Sequence, residues 1–224
     1  MKFKPSGLKT LTIANLLLLG FLVFAIFFVM IFPPGFQKIL YQFCMTGILI
    51  SSFFCIDKKY RRMMKWFVVI AIIIQWTYIL TGNIILNSIT KSVSICLYMV
   101  IAIWLIKQVS SSKTVDRILI LESVNGFLML GMFYTIIVAL IMLIDPAAYH
   151  FQTPIEGNAE MLTNFDEYLY YAFGAFTTIT YGDIMPVSPV AKSLSMAMGF
   201  SGQMYVAIII AMIVGKYAGE KQAD

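Results

Sequence analysis

Thr177-Thr178-Ile179-Thr180-Tyr181-Gly182-Asp183 is a polar run set between long apolar segments near the end of the chain. What precedes and follows it decides the fold. Upstream, Asn164 can cap a helix, and Glu167 three positions later completes an Asn-x-x-Glu capping box. Asp166 and Glu167 suit the positive end of that helix dipole. The helix is predicted from Phe165 to about Thr177, which is too short to cross a bilayer, so it must be re-entrant. Downstream, Ser188-Pro189 opens a full-length apolar span. Irregular backbone at membrane depth survives only inside protein or beside a watery path. A span, a half-helix, a polar strand and a second span therefore predict several copies packed around a wet axis. The partly negative C-terminal end of the half-helix would point at the central cavity and favour a cation there.

The rest of the chain agrees with a membrane setting. Of its 224 residues, 60% are hydrophobic and 12% charged, and the mean hydropathy is +0.87. A soluble domain is about 45–50% apolar and roughly 25% charged. Six stretches are long and apolar enough to span, at about 10–32, 38–56, 65–83, 86–106, 119–144 and 190–214. Lys91 lies near the start of the fourth, where its amine can snorkel to the headgroups. The first stretch is too long for a signal-peptide core, and Pro33-Pro34-Gly35 marks a turn after it rather than a cleavage site.

The net charge of +5 reads as orientation rather than as a nucleic-acid surface. Lys2, Lys4 and Lys9 precede span one; Lys58, Lys59, Arg61, Arg62 and Lys65 join spans two and three. Lys107, Lys113 and Arg117 join spans four and five, and Lys216 and Lys221 follow span six. Only Lys38, Lys91 and Lys192 fall on the other side. The positive-inside rule then predicts a multi-pass protein of the cell (inner) membrane with both termini cytoplasmic.

Cys44, Cys55 and Cys96 fall in or beside apolar spans with no metal-like spacing, and read as small hydrophobes. His150 is the single histidine and is expected to face solvent. No Ser/His/Asp set, phosphate loop or carboxylate pair is present, so no enzyme is expected and no cofactor is implied. The chain divides near the polar linker Ser110-Ser111-Ser112-Lys113. Residues 1–112 are expected to form a four-helix transmembrane domain. Residues 113–224 would hold an outer helix, the half-helix, the polar strand and an inner helix. With about nine residues after span six, no cytoplasmic ligand-binding domain is expected.

The run 177–183 resembles the selectivity filter of tetrameric potassium channels, T-x-G-Y-G-D, here in the variant form T-I-T-Y-G-D. A wider stretch, about 115–216, is similar to a group of small bacterial six-span ion-channel proteins. It includes Asp116-Arg117-Ile118, Asp145-Pro146 and Gly202-Gln203-Met204-Tyr205-Val206-Ala207. The resemblance implies an all-α membrane protein of six helices with a re-entrant pore helix, in a homotetrameric, voltage-gated-channel-like architecture. Backbone carbonyls there replace the hydration shell of a permeating monovalent cation, K+ or alternatively Na+. It implies filter ion ligands at Thr178, Ile179, Thr180, Tyr181 and Gly182, with the Thr178 hydroxyl at the cavity end. It implies filter support and the outer mouth at Tyr170, Tyr171, Thr177 and Asp183, the two tyrosines standing where the family carries an aromatic cuff. Gly202, twenty positions past Gly182, stands where the inner helix often hinges; close helix packing is its other reading. The partners implied are further copies of the chain, membrane lipid and the permeating ion.

Two positions depart from the pattern. Thr180 replaces a glycine whose positive φ lets successive carbonyls face one way, and a β-branched residue there costs on the order of 1–2 kcal/mol or more. Gly174 stands where some potassium channels place a glutamate that pairs with the filter aspartate, so Asp183 must find another partner or stay solvated. Asp145, Glu156, Glu160, Asp166 and Glu167 join Asp183 on the outer side, where repetition around a ring would concentrate cations. Span four offers Lys91 and Lys107 and no arginine, so the first four helices are expected to act as a structural skirt rather than a voltage sensor. Thr180 motivates a second reading, a weakly selective monovalent cation channel; a non-conducting pore-like scaffold or regulatory subunit is a reading from another class. A secondary transporter would want intramembrane charges and interrupted helices in both halves, which the first half lacks.

Overall fold

The computed structural model describes residues 5–55, 58–81, 93, 96–105, 107–108, 117–152 and 164–223. Lys2, Lys4, Lys91, Lys113, Asp116, Glu156, Glu160 and the linker 110–112 lie outside the described residues. The chain forms two compact units. One takes Met1–Ser112 with Asp116–Met129, the other Lys113–Val115 with Leu130–Asp224.

The elements are helices α1 (Pro5–Val23), α2 (Pro34–Cys55) and α3 (Lys58–Thr81); α4 (Cys96–Leu105); then α5 (Arg117–Ile144), strand β1 (Tyr149–Phe151), α6 (Phe165–Phe176), strand β2 (Ile184–Pro186) and α7 (Pro189–Ala223). The all-helical expectation needs one addition, the two short strands. Four helical stretches are long and apolar enough to cross a membrane: Leu11–Ile31, Gly35–Cys55, Ile118–Ile144 and Pro189–Gly215. They coincide with expected spans one, two, five and six. Within the third and fourth expected stretches, the described residues form shorter apolar helices, Lys65–Thr77 and Cys96–Leu105.

In the first unit, Ala14, Leu18, Leu22 and Ala25 recur at helical spacing and bury one face. Tyr41, Met45, Ile48 and Ser52 do the same on α2. Gly47 lets α2 meet α1 closely, since a Cβ there would sit 2.7 Å from the Phe21 ring. The α1 span ends in a π-turn (Phe24–Phe28) and a 3-10 turn (Val29–Ile31). Such turns leave carbonyls without regular partners. Gln37 Nε2 supplies two, donating to Met30 O (3.3 Å) and Phe32 O (2.8 Å). Deeper in, Asn125 of α5 donates to Asn15 O (3.0 Å) and Asn15 Oδ1 (3.2 Å), and the Cys55 thiol reaches the same Oδ1. Asn15 and Asn125 are fully buried, so these bonds replace water they cannot reach. Glu122, one turn before Asn125, is buried and accepts from Gln108 Nε2.

In the second unit, β1 and β2 pair antiparallel, with Tyr149 opposite Pro186, His150 opposite Met185 and Phe151 opposite Ile184. Ala148 O extends the ribbon by accepting from Val187 N (2.8 Å) and Ser188 N (3.1 Å). Alternation along β1 sends Tyr149 and Phe151 to one face and His150 to the other. Tyr149 meets Tyr171 edge to face at 4.8 Å, and Phe151 meets Tyr168 at 6.4 Å. His150 is exposed, as its sequence context suggested. The ribbon thus seats α6 through two aromatic pairs one helical turn apart.

Candidate functional site

Helix α6 forms where Asp166 and Glu167 occupy its first turn, but the expected capping box is not made. Asn164 stands at the N-cap position without a side-chain cap bond. Its backbone carbonyl still accepts from Tyr168 N (3.2 Å). The inner face of α6 is apolar: Phe165, Leu169, Ala172 and Phe176 are buried. Two glycines let this face approach its neighbours. A Cβ on Gly131 of α5 would stand 2.4 Å from the Phe173 ring. A Cβ on Gly202 of α7 would stand 1.9 Å from Phe176 O. That contact with a backbone oxygen gives Gly202 a packing reason, the alternative to a hinge raised by the sequence. Tyr134 adds a ring contact to Phe176 (5.7 Å) and a hydroxyl bond to Ser201 Oγ (2.8 Å). Tyr171 hydrogen bonds to Ser195 of α7.

Beyond α6 the chain turns back along its last turn. Thr177 N donates to Phe173 O (2.9 Å), Thr178 N to Ala175 O (3.1 Å), Ile179 N to Gly174 O (2.9 Å) and Thr180 N to Gly174 O (3.2 Å). The terminal carbonyls of a helix need partners, and the amides of the strand supply them. Thr177 Oγ1 adds a bond to Phe173 O (2.6 Å). Among the described residues, no backbone carbonyl from Thr177 to Gly182 accepts a hydrogen bond. From Thr177 to Thr180 the strand is therefore satisfied on its N–H side, and from Thr177 to Gly182 it is open on its C=O side. Thr178, Ile179, Thr180 and Tyr181 are all exposed.

The backbone angles fit that asymmetry. Thr178 (φ 62°), Thr180 (φ 39°) and Gly182 (φ 86°) are left-handed, and the residues between them are not. In a regular β-strand successive side chains, and with them successive carbonyls, alternate between opposite sides. Reversing φ at every second residue turns the carbonyls toward a common side. Thr180 does adopt the glycine-like conformation its position demands, at a cost on the order of 1–2 kcal/mol. Thr178 does so as well, which the sequence did not announce.

The outer end of the strand is held from α6 and from the ribbon. Tyr170 stacks on Tyr181 with ring centroids 5.9 Å apart and planes within 4°. The Tyr170 hydroxyl is also paired with the Asp183 carboxylate. That pair answers the question left by Gly174: the aspartate finds a phenol where a glutamate was missing. Asp183 Oδ1 accepts from Ile184 N (3.1 Å), and Asp183 O accepts from Gln152 N (3.1 Å). Behind the strand, Tyr170, Gly174, Thr180 and Asp183 help to line a cavity of about 10 Å³, the size of one water. Glu167 lies near this end of the strand. Burial, then the charges of Asp166 and Asp183, hold its carboxyl above the usual carboxylate range. At the inner end Thr178 Oγ1 accepts from Gln203 Nε2 of α7 (3.1 Å). Neither Gln203 nor the ribbon was identified from sequence. Gln203 falls in the 202–207 stretch that carries the wider resemblance, but that resemblance assigned it no role.

The structure thus gathers Tyr170, Tyr171 and Thr177 to Asp183 into one constellation, with Gly202 beneath it. Among the described residues no group of His, Cys, Asp and Glu is arranged to hold a metal ion through side chains. What the strand offers a cation is backbone and hydroxyl oxygen. Residues 131–218 match the family model described as "Ion channel" (Ion_trans_2). No curated protein and no solved structure matches the chain. The match supports an ion channel, and that family is one of channels and not of enzymes. Together with the apolar helices it supports a multi-pass membrane protein.

Proposed function

We propose that four copies of the chain assemble around an axis into a cation channel of the inner membrane, most selective for potassium. Ions would pass passively between rings of carbonyl oxygen from Thr178, Ile179, Thr180, Tyr181 and Gly182, neighbouring ions repelling each other onward. The observation that carries this reading is the one-sided strand. The amides of Thr177 to Thr180 are bonded back onto α6, while the carbonyls from Thr177 to Gly182 are open and φ alternates in sign from Thr178 to Gly182. A bare carbonyl row at membrane depth is tenable only against water or ions. The exposed apolar residues of α7, among them Met196, Phe200 and Ile210, support burial against further copies and lipid.

Asp145, Asp166, Glu167 and Asp183 would enrich cations at the outer mouth. Helices α1 to α4 would form the skirt around this pore, with both termini cytoplasmic. A weakly selective monovalent cation channel is the second reading, favoured by Thr180 in the filter. Protein reconstituted in planar bilayers under opposed potassium and sodium gradients separates the two. A reversal potential close to the potassium equilibrium value supports the first, and one near zero supports the second. Liposomes that pass neither potassium nor thallium would return the chain to a scaffold or regulatory role.

A further inference from the structure

We propose that Gln203 is a specificity-determining residue, which holds the Thr178 hydroxyl in the orientation that a cation meets at the inner end of the filter. The inference rests on the channel reading above and adds to it a side chain outside the filter strand.

Thr178 is an unusual place for a threonine. It is β-branched, exposed and left-handed at φ 62°, a combination that local backbone preferences resist. One bond from α7 holds its side chain: the hydroxyl accepts from Gln203 Nε2 at 3.1 Å. Gly199 of α7 leaves room beside the methyl, since even a Cβ there would stand 3.7 Å from Cγ2. α7 therefore restrains χ1 from outside the strand through the hydroxyl.

Gln203 is itself well placed to do this. It follows Gly202, where α7 comes so near α6 that a Cβ would meet Phe176 O at 1.9 Å. The donor is thus carried by the most tightly seated turn of the inner helix. A hydroxyl has one proton and two lone pairs. Gln203 occupies one lone pair, and among the described residues nothing else bonds Thr178 Oγ1. One lone pair is left for a cation. Without the amide, χ1 of Thr178 loses that restraint and the ring of hydroxyl oxygens loses its fixed size. Discrimination between potassium and sodium then weakens at that ring. Groups that touch a ligand lose function in this manner when the residues that hold them in place are removed.

The test uses the full chain in planar bilayers, with size exclusion to confirm that each variant assembles as wild type does. Gln203→Leu is expected to lower the potassium-to-sodium permeability ratio by about fivefold, the scale of one net hydrogen bond. Gln203→Glu, which can accept from the Thr178 O–H and adds charge, is expected to keep the ratio within about twofold. It should also tighten block by barium added on the cytoplasmic side. In a Thr178→Val background, Gln203→Leu is expected to cause no further loss, because the coupled pair is already broken. An unchanged ratio in Gln203→Leu, or equal losses from Gln203→Leu with and without Thr178→Val, overturns the inference while a conducting wild type leaves the channel reading in place. A wild type that carries no ion overturns both.

Discussion

Replacing Thr180 with glycine tests the proposed filter at the residue where sequence and conformation are most at odds. Thr180 is left-handed at φ 39°, and for a β-branched residue that strain is on the order of 1–2 kcal/mol. Its hydroxyl contributes little in return: the bond to Gly174 O is 3.5 Å long and exposed. Glycine removes the strain and keeps the Thr180 N–H bond to Gly174 O. It also loosens the unfolded chain, which offsets about 0.5–1 kcal/mol. The net expectation is a gain of about 0.5–1 kcal/mol per chain, or a rise of roughly 1–4 °C in unfolding temperature. Loss of helical circular dichroism of detergent-solubilised protein on heating reads this. The same variant should move the bilayer reversal potential toward the potassium equilibrium value. Thr178→Gly is the internal control. It relieves strain at φ 62° but forfeits the Gln203 bond, so its gain should be smaller. A Thr180→Gly protein that unfolds earlier than wild type would refute the claim that Thr180 is strained in the native backbone.

Other variants probe separate parts of the site. Gly202→Ala puts a methyl against Phe176 O and should destabilise by at least about 1–3 kcal/mol, seen as a lower unfolding temperature and a smaller assembled fraction; normal stability would show that α6 and α7 do not meet there. Tyr170→Phe keeps the ring stacked on Tyr181 but removes the hydroxyl paired with Asp183. It should shorten single-channel openings, with expression and assembly unchanged. Glu167 keeps its proton to higher pH in the fold than in the unfolded chain, so its ionisation weakens the fold and acidification relieves that cost. Conductance has the opposite sign. It should fall as external pH drops, beginning above the usual carboxylate range, and Glu167→Gln should flatten that onset. A flat titration of the wild type would remove Glu167 from the mouth.

Much of this site was legible because its constraints are local. A half-length apolar helix followed by the polar run Thr177 to Asp183 was expected from sequence, and the structure shows that helix with the run folded back along its last turn. Helix α6 ends at Phe176, within a residue of the expected end. What was missed depends on residues far apart in the chain. Three-residue strands such as Tyr149–Phe151 carry too little alternation to stand out. The Asn164-x-x-Glu167 signal was a true helix start, yet the cap bond itself was not made. Tyr170 was expected to support the filter, but its pairing with Asp183 needed the turn of the strand to bring them together. Gln203 meets Thr178 only because Gly202 allows a close crossing. In the first unit, nothing local in Phe24–Phe28 marks a π-turn, and Gln37 answers it from the next helix.

The β1–β2 ribbon has a mechanical consequence. Its Ala148 carbonyl binds the two residues that lead into α7, and its Gln152 amide binds the carbonyl of Asp183. The exit of the strand and the root of the inner helix are thus bolted to one plate at the end of α5. Tilting α7 at that root must drag Asp183 along, whereas bending it further along its length need not. Motion that bends the far half of α7 can leave the outer end of the proposed filter undisturbed, and any force applied before Pro189 is delivered straight to it.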